Sequence, residues 1–412
     1  MSKRGNNEGS IYRMADGRWR SAIWLGWKSN TAGKTVPNRK IFTGRTRKEV
    51  QDKLTAALRD QQLGVPVIQE KQTTGQFLRW WFEQVARQTV RPKTLKFYDF
   101  VLNRHLLPGL GYIPLAKLTP QQVLGFLNER GHRVSERTGR LLSPRSVKHI
   151  HRTLCTALSA AVKYGCVARN VAKLVDPPAV PRSEIVFFTV DQARTFLDFA
   201  RDNRLFALYA TVLSLGLRLG EGLGISWADV NLETGRFNVR QSLQRIDAKL
   251  YPGKGGLQLV EPKGGYSRRV VTLPAVAVAA LRRHLATQEE EKAIAGTRWK
   301  GNPWNLVFTS KIGTPLDERK VLARFQSLLA AAGLPQLRLH DLRHSAVAIL
   351  IAQGVHPKAI SELLGHSSVA FTMQVYGHLM EETKRETADK MDEALNPVAT
   401  SVATKRLEER LN

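Results

Sequence analysis

Arg218, Lys263, His340, Arg343, His366 and Tyr376 make up a scattered set of five phosphate-seeking side chains and one weak nucleophile. Arg218 stands in GLRLGEGLGISW, Lys263 in EPKGGYSRRVVTL, His340 and Arg343 in HDLRHS, and His366 and Tyr376 in LGHSSVAFTMQVYGH. Two guanidiniums can each offer paired donors to a phosphate, a geometry an ammonium cannot match. Imidazoles titrate near neutral pH, so His340 can accept or relay a proton and His366 can hydrogen-bond a non-bridging oxygen. A tyrosine among such groups can attack phosphorus in line and form a phosphotyrosyl link that conserves the bond energy for resealing. No nucleotide, metal or other cofactor is then required. Glu221, three residues beyond Arg218, can fix it by an ion pair. His340 and His344 have the i, i+4 spacing of a metal pair, but HDLRH lacks the HExxH pattern and places an arginine between the imidazoles, so no metal is expected. Arg268 and Arg269 are expected to make nonspecific backbone contacts with DNA.

These residues must be positioned by elements that the sequence also marks. At 412 residues the chain is long enough for two or three domains, and 63 basic against 35 acidic side chains leave a net charge of +28. Such an excess implies a polyanionic partner, because displaced counterions give strong, salt-sensitive binding to DNA. Cys155 and Cys166 are too few for a disulfide framework and are expected to be reduced thiols. The N-terminus MSKRGNNEGS has no apolar stretch, and no run approaches the ~20 apolar residues of a membrane span. A cytoplasmic protein with no membrane association is expected.

Residues 1–65 alternate apolar and polar side chains around an Asp16-Gly17 turn, with a third short strand expected through Arg39 to Thr43. Thr46-Arg47-Lys48-Glu49 reads as a capping box that starts a helix running to about Leu63. The module is basic, and Arg18 and Arg20 are candidate DNA contacts. From Thr73 to about Val175 the apolar spacing becomes helical. One stripe runs Phe77, Leu78, Trp81, Phe82 and Val85, and a second runs Leu95, Tyr98, Leu102, His105 and Leu106. Thr119 with Pro120 and Gln122, and Ser143 with Pro144, open two further helices. Lys93, Lys96, Arg145 and Lys148 lie between the stripes as candidate DNA-binding residues. Asp176-Pro177-Pro178-Ala179-Val180-Pro181 cannot sustain a helix and reads as an interdomain linker. Thr189 to Gln192 caps the next helix, mixed helices and strands follow to about Leu395, and the polar remainder, 396–412, reads as a tail.

The motifs, in this order and spacing, resemble the tyrosine recombinases, the integrase family of phages and mobile elements. The resemblance implies a multidomain fold. Residues 1–65 would form a small α+β domain, three strands and a helix, of the arm-binding type; 70–178 an all-α four-helix core-binding domain; and 184–395 a mixed, mainly helical α+β catalytic domain. It implies that Arg218 is the first catalytic arginine, that Tyr376 forms a 3′-phosphotyrosyl link and that His344 is a packing residue. Lys263 would be the β-hairpin lysine that protonates the leaving 5′ oxygen, with SRRVVTL as the return strand. Here PKG stands where threonine-lysine-threonine is commoner, and Lys254 is a rival. A homotetramer on double-stranded attachment sites is further implied, integrating or excising a phage or mobile element through a Holliday junction. Excisionase and a host DNA-bending protein are candidate partners. The segment from His378 to about Leu395 would be a charged helix, docked on a neighbouring protomer or on its own domain. Two other readings are a catalytically inactive DNA-binding or regulatory protein with the same fold, which has no need of Tyr376, and a type IB topoisomerase, which the arm-like N-terminus fits poorly.

Overall fold

A computed structural model describes residues 9–29, 35–62, 72–134, 139–181, 185–262, 267–365, 368–377, 391–392 and 395. The chain divides into two compact units, Met1–Arg182 and Ser183–Asn412. The Asp176 to Pro181 stretch carries neither helix nor strand, as its three prolines in six residues require.

In the first unit, β1 (Ser10–Arg13), β2 (Trp19–Ser29) and β3 (Thr35–Gly44) form an antiparallel sheet in that order. The β1–β2 turn closes with Met14 N–H donating to Arg18 O at 2.7 Å, and Gly17 takes the positive φ, +80°, that the turn requires. The third strand is twice the length expected from the sequence, because Thr35 to Arg39 continue the ladder opposite Trp24 to Ser29, past a bulge between Trp24 and Trp27; Pro37 pairs with Trp27. Helix α1 (Arg47–Gln62) packs Leu54, Ala57 and Leu58 against Ile11, Ile23, Leu25 and Phe42. Its Thr46 hydroxyl accepts from Glu49 N–H as a cap should, whereas the Glu49 carboxylate accepts from Arg45 N–H.

The rest of this unit is helical: α2 (Thr74–Trp81), α3 (Arg87–Thr89), α4 (Pro92–Val101), α5 (Leu107–Leu110), α6 (Pro120–Gly131) and α7 (Pro144–Lys163). Thr73 and Thr119 make full capping boxes with Gln76 and Gln122, and Ser143 caps α7. The expected stripes are the buried faces, Phe77, Leu78, Trp81 and Phe82 on one and Leu95, Leu102, His105 and Leu106 on the other. Both stripes run through π-helical turns, Phe82–Ala86 and Leu102–Leu106, which a simple 3.6-residue count does not anticipate.

Among its described residues the second unit is mainly helical, with two small antiparallel sheets. Its helices are α8 (Val190–Phe199), α9 (Phe206–Leu215), α10 (Leu219–Leu223), α11 (Ala275–Ala295), α12 (Glu318–Ala331), α13 (Asp341–Ala352), α14 (Pro357–Leu364) and α15 (Val369–Tyr376). Strands β4 (Val230–Asn231), β5 (Arg236–Val239) and β8 (Arg269–Thr272) form one sheet in the order β4-β5-β8, and β6 (Ser242–Ile246) pairs with β7 (Gly256–Val260) in the other. The core centres on Phe188, Phe196, Tyr209 and Phe325, whose rings meet edge-on or tilted at 5.4–5.7 Å. SRRVVTL is therefore not the return strand of a hairpin with the strand before it. Its residues Arg269 to Thr272 pair with β5, while the preceding β7 pairs with β6.

Candidate active site

The GLRLGEGLG run places Arg218 at a helix start that only small residues permit. Helix α9 ends at Gly216 in the left-handed conformation (φ +57°), and Arg218 precedes the single-turn α10. A Cβ on Gly220 would lie 2.5 Å from Ser242 Oγ and one on Gly224 2.9 Å from Leu243 N, so α10 can lie against β6 only with glycine there. Arg218 Nη1 donates to Glu221 Oε1 at 2.7 Å, as the spacing predicted, and the Arg218 side chain remains 36% exposed.

The Glu221 carboxylate is buried and shared. Its Oε2 accepts from Arg269 Nη2 at 3.2 Å and from Arg218 N–H at 3.2 Å. Burial alone would raise its pKa; the charges of Arg269 and Arg218, with their hydrogen bonds, overcome that and hold the carboxyl below its ordinary value. Arg269 is not the exposed backbone-binding residue expected from the sequence. Its side chain is 7% exposed and also donates through Nε to Leu363 O at 2.6 Å and through Nη1 to Ser267 O at 3.1 Å. The alternation of the strand carries the reason: Ser267, Val271 and Leu273 are buried with it, while Val270 faces out. Arg268, on the other face, is exposed and pairs with Glu261.

Arg343, in the first turn of α13, is the most deeply held of the three guanidiniums. Nη1 donates to Gly216 O at 2.6 Å and Nη2 to Leu364 O at 2.9 Å, with only 3% of the residue exposed. Burial, then the positive charge of Arg218, pushes its pKa down to about 9 against the pull of Glu221. Two guanidiniums thus share one carboxylate and a third, Arg343, lies within reach of its charge, leaving an excess of positive charge in a largely buried place.

Tyr376 ends α15 and is 3% exposed; burial raises its hydroxyl to about 12, although Arg343 acts in the opposite sense. The hydroxyl is hydrogen-bonded to His344 Nδ1. His344 is therefore no simple packing residue. Burial, followed by the charge of His340, lowers its pKa to about 4, so at neutral pH the ring is uncharged. His340 immediately precedes α13 with its ring 5.3 Å from that of His344, edge to face. One side of His340 is open to solvent; desolvation of the other, then the charge of Arg343, lowers its pKa as well.

The Phage integrase family matches residues 186–383, and the Phage integrase, N-terminal SAM-like domain matches residues 73–130. An integrase from Streptomyces ambofaciens is 30% identical over 364 residues, covering 87% of this chain and 89% of the relative. Another, from Saccharopolyspora erythraea, is 28% identical over 433 residues, covering 94% and 96%. The chain belongs to the phage integrase family. It is a tyrosine site-specific recombinase that acts on mobile elements. Its fold is similar to that of the Tn1549 transposon integrase in complex with a circular intermediate DNA, with TM-score 0.64 and 19% identity, covering 78% of this chain and 100% of that one.

Among the six residues first singled out in this recombinase, the fold brings together Arg218, His340, Arg343 and Tyr376. Lys263 and His366 lie outside the described residues. The last residues described before them are Pro262, and Gly365, which ends α14 at φ +66°. Lys254 sits exposed in the turn between β6 and β7. The expected helix from His378 falls almost wholly outside the described residues. Arg18 is exposed but tied to Asp16 at 2.6 Å, and Arg20 is half-buried opposite Tyr12 and Thr43. Lys93, Lys96, Arg145 and Lys148 are exposed on the first turns of α4 and α7. Cys155 and Cys166 are both free thiols. Among the described residues no helix is long and apolar enough to cross a membrane.

Proposed function

We propose that Tyr376 is the nucleophile of this recombinase and that Arg218 and Arg343 clamp the scissile phosphate, with Glu221 holding Arg218 in place. The observation that carries the reading is the excess of guanidinium charge around Glu221, close enough to Tyr376 for Arg343 to act on its hydroxyl. A phosphodiester supplies the missing anion, and its charge is greatest in the transition state, where fixed donors stabilise it most. Tyr376 oxygen attacks phosphorus, the bond from phosphorus to the 5′ oxygen breaks, and a 3′-phosphotyrosyl ester forms. The phenol proton passes to His344, with His340 beside it as relay or as a donor to a non-bridging oxygen. Lys263 gives the leaving 5′ oxygen its proton, and His366 supports the phosphate or the nucleophile. Resealing reverses the same transfers, so no external energy source enters.

The first unit supplies the grip on DNA. Residues 1–65 act as an arm-type module that uses Arg18 and Arg20, and 70–178 as a core-binding domain that uses Lys93, Lys96, Arg145 and Lys148. Residues 184–395 form the catalytic domain. The substrates are double-stranded attachment sites, bound by a homotetramer in the host cytoplasm or nucleoid, with excisionase and a host bending protein setting direction. A nicked suicide substrate tests the chemistry. Wild-type protein should trap an SDS-resistant adduct and Tyr376→Phe should trap none; an adduct with the phenylalanine variant would remove Tyr376 from its role.

A further inference from the structure

We infer that Arg269 is a positioning residue of the cleavage reaction, which frees Arg218 for the phosphate by taking half of the Glu221 carboxylate and ties β8 and α14 to it. The inference rests on the reading of Arg218 as a phosphate clamp.

Glu221 has two oxygens. Oε1 takes the Arg218 guanidinium, and Oε2 takes Arg269 Nη2. With Arg269 present the carboxylate is more than neutralised, so Arg218 spends one of its guanidinium nitrogens on it, besides its backbone N–H, and keeps its exposed side for a substrate. Without Arg269 a buried charge of −1 would have Arg218 as its remaining partner and would draw that guanidinium inward.

The same side chain fixes backbone at two other places. Nη1 holds the carbonyl of Ser267, just after the segment that carries Lys263, and Nε holds the carbonyl of Leu363. Arg343 takes the next carbonyl, Leu364. The last carbonyls of a helix have no partner within it, and here two arginines satisfy neighbouring ones immediately before Gly365 and His366. One buried guanidinium therefore links three catalytic motifs that are far apart in sequence. All three of its nitrogens have acceptors within the protein.

The test is single-turnover adduct formation on a nicked substrate, with gel-shift affinity and thermal unfolding measured on the same full-length variants. Arg269→Ala should slow cleavage about 10²-fold while DNA affinity stays within about threefold. Glu221→Gln removes the charge that Arg269 balances, so Arg269→Ala/Glu221→Gln should cleave no more slowly than Arg269→Ala alone. A neutral methylphosphonate at the scissile position makes less demand on Arg218, so the Arg269→Ala deficit should shrink there by about tenfold, which a simple loss of folded protein would not produce. If Arg269→Ala unfolds, Arg269→Lys keeps the charge while losing two of three hydrogen bonds and carries the same comparisons. Cleavage within twofold of wild type, or an equal deficit on phosphate and methylphosphonate, overturns the inference. Arg218→Ala is the control: if it cleaves normally, the clamp reading itself has failed, independently of Arg269.

Discussion

The hydroxyl of Tyr376 is hydrogen-bonded to Nδ1 of His344, one helical turn beyond His340. The proposed nucleophile is thus buried on a neutral imidazole, the proposed acceptor of its proton. Replacing His344 with alanine should slow adduct formation by about 10²-fold, in the range usual for loss of a general base, without changing DNA affinity. His344→Gln keeps a hydrogen-bond acceptor but no base, so it should preserve the thermal transition better than it preserves the rate. Quench-flow cleavage assays beside melting curves separate the two effects, and a wild-type rate for His344→Ala would leave His340 as the base.

Arg343 and Arg218 should differ in what their loss does to stability. Removing Arg343 leaves the buried carbonyls of Gly216 and Leu364 without their partner, each worth about 1–3 kcal/mol when unsatisfied. Arg343→Ala should therefore lower the melting temperature as well as abolish cleavage. Arg218 is partly exposed, and its alanine variant should lose cleavage with little change in melting. Calorimetry of both variants checks the contrast; equal melting temperatures would contradict the role of Arg343 as a strut.

Acid should loosen both units. His344 in the second and His105 in the first each have a folded pKa of about 4, lowered chiefly by burial, and an ordinary value of 6.5. Between those values the unfolded chain binds more protons than the folded one. The stability these histidines contribute is thus fully present above about pH 6.5 and is lost as pH falls toward 4. Melting temperature should drop over that window, and less steeply in His344→Gln or His105→Gln. Identical slopes in wild type and variants would exclude these groups as the cause.

Gly216 should tolerate no side chain. Its φ of +57° strains any L residue, and a Cβ would lie 2.4 Å from Leu364 Cδ2, on the chain that Arg343 also grips. Gly216→Ala should cost at least about 1–3 kcal/mol and reduce cleavage, whereas Gly17→Ala, equally left-handed but open, should cost only its backbone strain. Denaturant titration of the two variants gives the comparison.

Deleting residues 1–65 should spare cleavage of a core site yet weaken integration at a full attachment site. Equal recombination by truncated and full-length protein would remove the arm-type assignment.

Local physics made much of this legible in the sequence. Thr119, Ser143 and Thr189 cap helices because a side-chain oxygen meets a free backbone donor within three residues, and the Glu221 to Arg218 pair is equally local. What stayed hidden depends on distant partners. Arg343 finds Gly216 O across 127 residues and Arg269 finds Leu363 O across 94. His344 meets Tyr376 across 32, and β8 chooses β5 over the adjacent β7. The alternation of SRRVVTL did hold a usable signal, since it puts Arg269 on the face of Val271 and Leu273.

Pro37 has one more consequence. It stands on β3, an outer strand of the N-terminal sheet, where a residue without an N–H cannot complete a ladder with a foreign strand; the opposite margin, β1, is only four residues long. Copies gathered side by side on one stretch of DNA would bring such margins together at high local concentration. A sheet blunted at both sides would let them crowd there without zipping into a continuous β-structure, and the proposed assembly would then be governed by the nucleic acid rather than by the protein's own backbone.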